Sequence, residues 1–153
     1  MANPTIVKLI MNNWIEKSES EKQPFNKYIA LWIAFNAYYS SATNENFEKD
    51  SIAKIKCQSE LKQYYLSIAN SEEITNLLSV SPIINMKNNK EVIINGKEDY
   101  SSIIETLYQI RNNLFHGSKT DHKERDIEVV TVALPILNQL VIYCQKNFDK
   151  IEF

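Results

Sequence analysis

Glycine, proline, cysteine and histidine are all scarce in this chain of 153 residues, which has two Gly, four Pro, two Cys and two His. So few helix-breaking residues argue against a sheet-rich fold with many turns and favour long helices joined by short loops. Two glycines also cannot form a glycine-rich phosphate-binding loop. Cys57 and Cys144 lie far apart, each within an apolar helical pattern, so we expect reduced thiols in a core.

The chain also lacks a strong charge of either sign and a recognisable leader sequence. A formal net charge of -2 gives no general attraction to nucleic acid, so RNA binding has to come from a local patch. No charged and apolar leader opens the chain, and no apolar run is expected to approach membrane-spanning length. We therefore expect a soluble, cytoplasmic protein without a membrane partner. His116 and His122 have neither Cys nor spaced carboxylates around them, so no metal and no cofactor is expected.

What the chain does have is hydrophobic residues at helical spacing. They make up 44% of the sequence, enough for the core of a single domain over residues 1–153. The periodicity predicts an all-α, antiparallel helical bundle of about five to six helices. The predicted helices cover about 4–18, 25–41, 51–68, 71–78, 100–116 and 126–148. Strand-like text at 83–86 and 91–94 predicts a small β-hairpin near 83–95 that has to pack on helices.

The predicted helix over 100–116 carries an unusual combination of side chains. A core stripe on one side consists of Ile103, Leu107, Ile110 and Leu114. The opposite side carries a polar row, which consists of Glu105, Gln109, Asn112 and His116. Beside the row stand Ile104, Tyr108 and Phe115. Solvent-facing helix surfaces do not normally carry such large apolar residues, so we expect this face to contact another part of the chain or a second protomer.

The end of this helix favours acid–base chemistry. Gly117 supplies the left-handed residue that commonly ends helices, which places His116 in the final turn. There the helix dipole favours the imidazolium form, whereas the nearby Arg111 disfavours it. The pKa of His116 is therefore expected near neutrality, where a histidine can act as an acid or as a base.

Arg111, Asn112 and His116, at the end of an amphipathic helix in a small helical protein, resemble the ribonuclease motif of the HEPN family. In that family an Arg, a polar residue and a His separated from the Arg by four to six residues form the motif. The aromatic segment 28–39 resembles the second helix of several HEPN branches, and the long last helix is also similar. The resemblance implies a metal-independent endoribonuclease, such as a toxin or a phage-defence effector, with an antitoxin or another regulatory protein as partner.

Metal-free RNA cleavage needs a base for the 2′-hydroxyl, an acid for the leaving 5′-oxygen and positive donors for the phosphate. One His cannot comfortably be base and acid in a single turnover. The resemblance implies a homodimer whose paired motifs line one cleft. Cleavage of RNA there would leave 2′,3′-cyclic phosphate ends. We assign His116 as general acid and base, Arg111 as the phosphate clamp, and Asn112 as the residue that orients His116 or the phosphate.

Further residues are expected to support this site. Lys119, Lys123 and Arg125 form a local basic excess that could bind the RNA, although such runs are usually solvated surface. Asn36 is a lone amide in an apolar helix, and such a buried amide usually bonds a loop backbone or another side chain. Its alternative, functional role would be to brace the turn from Arg111 to His116. Glu105 and Gln109 would support the site from the polar row.

The structural alternative is that Arg111 pairs with a buried acid such as Glu105 and that His116 only caps its helix. The chain would then be a non-catalytic HEPN-like module that binds RNA, a nucleotide or a partner protein.

Overall fold

Seven helices and one short hairpin make up the part of the chain that the computed structural model describes, residues 3–85, 87–115 and 124–153. The helices are α1 (Pro4–Ser20), α2 (Pro24–Ala42), α3 (Glu48–Cys57), α4 (Ser59–Ile68), α5 (Glu72–Val80), α6 (Tyr100–Phe115) and α7 (Glu124–Lys146). The antiparallel strands are β1 (Ile83–Ile84) and β2 (Glu91–Val92), with Ile83 opposite Val92. The predicted all-α bundle with a small hairpin is confirmed, with more helices than expected.

The extra helix arises because the segment predicted as one helix over 51–68 is broken at Gln58. This residue is extended, and its side-chain Oε1 accepts hydrogen bonds from the backbone N–H groups of Glu60 and Leu61, at 2.6 and 3.3 Å. An amide side chain that bonds free N–H groups in this way starts a new helix. The break also changes which face is buried, so Cys57 is exposed and the prediction that it is a core thiol is wrong, whereas Cys144 is buried.

Helix α2 is the centre of the fold, as its nearly all-round apolar surface predicts. It packs against α1 and α7, and its largest side chains are fully buried. Trp32 contacts the rings of Phe35 and Tyr39 edge-on, with centroids 5.3 and 6.3 Å away. The buried Tyr28 hydroxyl donates to the backbone oxygen of Leu107 at 2.6 Å, which ties α2 to α6. The central helix thus fixes the position of the helix that carries Arg111.

Helix α7 is long and apolar enough to cross a membrane by length and composition alone. The expectation that no apolar segment approaches that length is therefore wrong for α7. In this fold α7 packs against α2 and α5, and Val130, Leu137 and Val141 are fully buried. A buried helix of a globular bundle has the same composition, so this property is weak evidence for a membrane span.

Helix α6 begins at a side-chain cap on Asp99. The Asp99 carboxylate accepts hydrogen bonds from the backbone N–H groups of Ser102, at 3.3 Å, and Asn95, at 3.1 Å. Although partial burial opposes the shift, these hydrogen bonds lower the pKa of Asp99 below its usual value. The lowered pKa means that the ionised carboxylate stabilises the folded chain.

We expect Asp99→Ala to lower the free energy of unfolding by about 1 kcal/mol at neutral pH, because α6 loses its cap. The stabilisation is present above the pKa of Asp in the unfolded chain, roughly 3.9, and is lost as the pH falls through the lower folded-state value. Urea denaturation at pH 7 and at acidic pH measures both effects. The neighbouring Glu98 is largely exposed and serves as the control, since Glu98→Ala should change little. Equal losses in the two variants would contradict the capping role.

Candidate functional site

Arg111 lies in the last described turn of α6, and its guanidinium is held by two polar neighbours. Its Nη2 is 3.1 Å from the Oε2 atom of Glu48, in the first turn of α3. Its Nη1 donates a hydrogen bond to the Oδ1 atom of Asn112 at 2.7 Å. The side chain is 19% exposed, and its Nε is buried without a partner among the described residues. Arg111 is thus fixed in place while part of its side chain remains accessible.

Two aromatic rings flank the Arg111 guanidinium. Its central carbon lies 4.4 Å from the ring centroid of Phe115 and 5.9 Å from that of Tyr108. Tyr108 is half-buried and stacks on Trp32 with ring centroids 6.1 Å apart, whereas Phe115 is 45% exposed. A cation over an aromatic face is attracted by the negative charge of that face. These contacts explain why α6 carries Tyr and Phe beside a charged residue.

Glu48, the partner of Arg111, was not predicted, and it belongs to a network that reaches into the core. The Tyr39 hydroxyl donates to its Oε1 atom, and the Asn36 Nδ2 lies 3.4 Å from the same oxygen. Asn36 Nδ2 and Trp32 Nε1 both donate to the Tyr39 hydroxyl, at 2.9 and 3.2 Å. Burial, and then the hydrogen bond to Glu48, raise the pKa of Tyr39, so its hydroxyl keeps the proton that it donates. The carboxylate also lies at the positive end of α3.

The predicted supporting role of Asn36 stays a prediction, but the structure places this amide against the residue that pairs with Arg111. Glu105 has a different partner, since it forms an ion pair with Lys56 of α3. The structural alternative named Glu105 as an example of the acid that pairs with Arg111, and this example is wrong. Arg111 does form an ion pair, and its partner is Glu48.

The polar row of α6 does not stay together on one open face. Gln109 is 4% exposed, and its Nε2 donates to Asn113 Oδ1 at 2.9 Å. Asn113 Nδ2 in turn donates to the backbone oxygen of Ile84 in β1, at 2.9 Å. These contacts join α6 to the hairpin, so Gln109 serves the attachment of the hairpin rather than the surroundings of Arg111.

Ile104 does not lie at an open interface, which corrects its assignment. It is 1% exposed and faces a small internal space that Tyr64, Tyr65 and Leu140 also line. The reason is that α4 packs against α6 from a side that the sequence pattern left open. Of the three predicted interface residues, Phe115 is exposed, and Phe47 beside Glu48 adds a second exposed ring, at 66%.

Of the three residues assigned to RNA binding, Arg125 is within the described part of the chain. It is exposed, and its Nη2 donates to the backbone oxygen of Val80 at the end of α5, at 2.7 Å. An arginine at the carbonyl end of a helix has an ordinary stabilising role. His116, Lys119 and Lys123 lie outside the described residues. The approach of His116 to Arg111 therefore stays a prediction from the sequence.

The chain matches no protein-family model, no curated protein and no solved structure. The resemblance to the HEPN family therefore stays a prediction from the sequence, based on Arg111, Asn112 and His116, the aromatic segment 28–39 and the last helix.

Proposed function

We propose that this protein is a metal-independent endoribonuclease of the HEPN type, which acts in the cytoplasm as a homodimer with a composite active site. The observation that carries the proposal is the state of Arg111. Its guanidinium is oriented by Glu48 and Asn112 and flanked by an exposed aromatic ring, and its side chain is partly accessible. In the sequence it is followed five residues later by His116, the kind of side chain that cleavage needs as acid or base.

The proposed reaction is an attack of an RNA 2′-oxygen on the phosphate attached to the 3′-oxygen of the same nucleotide. His116 of one protomer takes the 2′-hydroxyl proton as the new P–O bond forms, and Arg111 stabilises the negative charge that develops on the phosphate. The P–O bond to the 5′-oxygen breaks, and His116 of the second protomer gives that oxygen a proton. The products are a 2′,3′-cyclic phosphate and a 5′-hydroxyl. Asn112 accepts a hydrogen bond from Arg111, so in this proposal it acts on the phosphate through the clamp, and its contact with His116 stays a prediction.

Exposed aromatic side chains near Arg111 support a partner surface at this end of the molecule. Phe47 adjoins Glu48 in the sequence, and the ring of Phe115 covers the Arg111 guanidinium. Large aromatic residues are enriched in interfaces between proteins and depleted from ordinary surface. A two-fold contact here would bring two Arg111 side chains to one cleft, as the composite site requires.

We expect His116→Ala to lower RNA cleavage by about 10²–10⁴-fold, because it removes the general acid and base. The assay uses end-labelled RNA of mixed sequence in EDTA and identifies 2′,3′-cyclic phosphate ends. The chain has one other histidine, so His122→Ala is the matched control and should cleave like wild type. Light scattering checks that all three proteins form the same oligomer. Equal cleavage by the three proteins would place the activity elsewhere and contradict the proposal.

The ion pair of Arg111 also supports a second function, a non-catalytic module that binds RNA, a nucleotide or a partner protein such as a regulatory one. Glu48 neutralises the charge of Arg111 within the folded chain, as a purely structural arginine would require. In this case the folded wild-type dimer cleaves no RNA. Its binding of RNA or nucleotide is then weakened by charge changes at Lys119, Lys123 or Arg125 rather than at Arg111.

A further inference from the structure

Glu48 is held in one orientation by contacts to both of its carboxylate oxygens. Oε1 accepts hydrogen bonds from the hydroxyl of Tyr39 and the amide of Asn36, and Oε2 faces Arg111. Tyr39 is fully buried on the central helix, and Trp32 donates to the same hydroxyl. The carboxylate therefore cannot turn without breaking contacts that are anchored in the core. It presents a fixed negative charge to the guanidinium.

This fixed carboxylate pairs with one terminal nitrogen of Arg111 and leaves other donors of the guanidinium unbonded. A guanidinium has five N–H donors, one on Nε and two on each Nη. Nη2 forms an ion pair with Glu48, one Nη1 donor is bonded to Asn112, and Nε is enclosed. Both terminal nitrogens thus keep N–H donors without a hydrogen-bond partner among the described residues. Donors on both terminal nitrogens of one planar group suit the paired oxygens of a phosphate.

We propose that Glu48 is the positioning residue for Arg111 and that it orients the guanidinium toward a phosphate group of RNA. This inference rests on the proposed ribonuclease function. Without Glu48, Arg111 would sample many rotamers and would have to be ordered at each turnover, which lowers the rate of reaction. The same carboxylate repels the phosphate, so it weakens RNA binding while it improves the geometry of reaction.

The test is Glu48→Gln, which keeps the size of the side chain and one acceptor oxygen but removes the charge. We expect kcat to fall by about 10–100-fold, because the clamp is misplaced. We expect KM to fall severalfold, because Arg111 gains an uncompensated charge toward the RNA. A loss of folded protein would lower the apparent kcat and leave KM unchanged. A fall in KM together with kcat therefore distinguishes a positioning role from a structural one.

Glu45 supplies the matched control for this experiment. It precedes α3 in the same segment and pairs with Lys54 at 2.8 Å, with an exposure similar to that of Glu48. Glu45→Gln should leave kcat and KM as in wild type. If Glu48→Gln also leaves both constants unchanged while wild type cleaves, the positioning role is wrong and the ribonuclease proposal stands.

A measurement without RNA keeps the two proposals separable. The chain has two arginines, so ¹⁵N NMR resolves the Nε–H signals of Arg111 and Arg125. We expect slow hydrogen exchange at Arg111 in wild type and faster exchange in Glu48→Gln, with Arg125 as the internal reference. Unchanged exchange at Arg111 overturns the positioning role whether or not the protein cleaves RNA. If wild type cleaves nothing, the ribonuclease proposal fails, and with it the role of Glu48 toward a phosphate.

Discussion

Arg111→Ala is expected to lower kcat/KM for RNA cleavage by about 10²–10³-fold, the usual effect of removing one donor from developing negative charge. The structure holds this guanidinium near the end of α6, with N–H donors on its terminal nitrogens left for a phosphate. The measurement is cleavage of end-labelled RNA in EDTA over a range of RNA concentrations. Arg125→Ala is the control, because Arg125 contacts the backbone oxygen of Val80 and should affect binding modestly.

Arg111→Lys separates the shape of the side chain from its charge. Lysine keeps an ion pair with Glu48, so the folded state should be preserved, but it lacks the planar fork that binds two oxygens at once. We therefore expect this variant to bind RNA nearly as well as wild type and to cleave it poorly. If Arg111→Lys cleaves at the wild-type rate, Arg111 contributes charge alone and the assigned clamp geometry is wrong.

The helices could be predicted where their ends are marked by local signals. Pro4 and Pro24 open α1 and α2 close to the predicted starts, and the Ser71 hydroxyl accepts a hydrogen bond from the backbone N–H of Ile74 at the start of α5. The break at Gln58 could not be predicted in this way. Glutamine is a good helix former, and besides capping α4 its side chain donates to the backbone oxygen of Glu152, at 2.6 Å, a distant contact that no local signal marks.

The site shows the same division between local and long-range information. Arg111 and Asn112 are neighbours in the sequence, so their contact is local. Glu48 comes from a different helix, and nothing in its own surroundings distinguishes it from Glu45, which pairs with Lys54 instead. The pairing depends on how α3 packs against α6. The aromatic residues of α2 could be recognised in the sequence as important for the site, since they contact both the core and the hydrogen-bond network around Arg111.

Trp32→Ala is expected to lower the free energy of unfolding by about 3–5 kcal/mol, a large part of the stability of a domain of this size. Trp32 is 1% exposed and contacts four other aromatic rings, including Tyr108 of α6. Its removal leaves a cavity and takes one donor from the buried Tyr39 hydroxyl. Urea denaturation followed by circular dichroism measures the loss.

Trp14→Ala is the matched control, because Trp14 is the other tryptophan of the chain and is only partly buried. We expect its loss to be clearly smaller, since less apolar surface leaves water at that position. Trp32→Phe should restore most of the stability, because the phenyl ring refills much of the cavity while the N–H donor stays absent. A Trp32→Ala variant as stable as Trp14→Ala would contradict the central position of α2. Trp32 contacts both Tyr108 and Tyr39, which in turn contact Arg111 and its partner Glu48. We therefore also expect Trp32→Phe to make the Arg111 side chain more mobile, measured as faster hydrogen exchange of the Arg111 Nε–H.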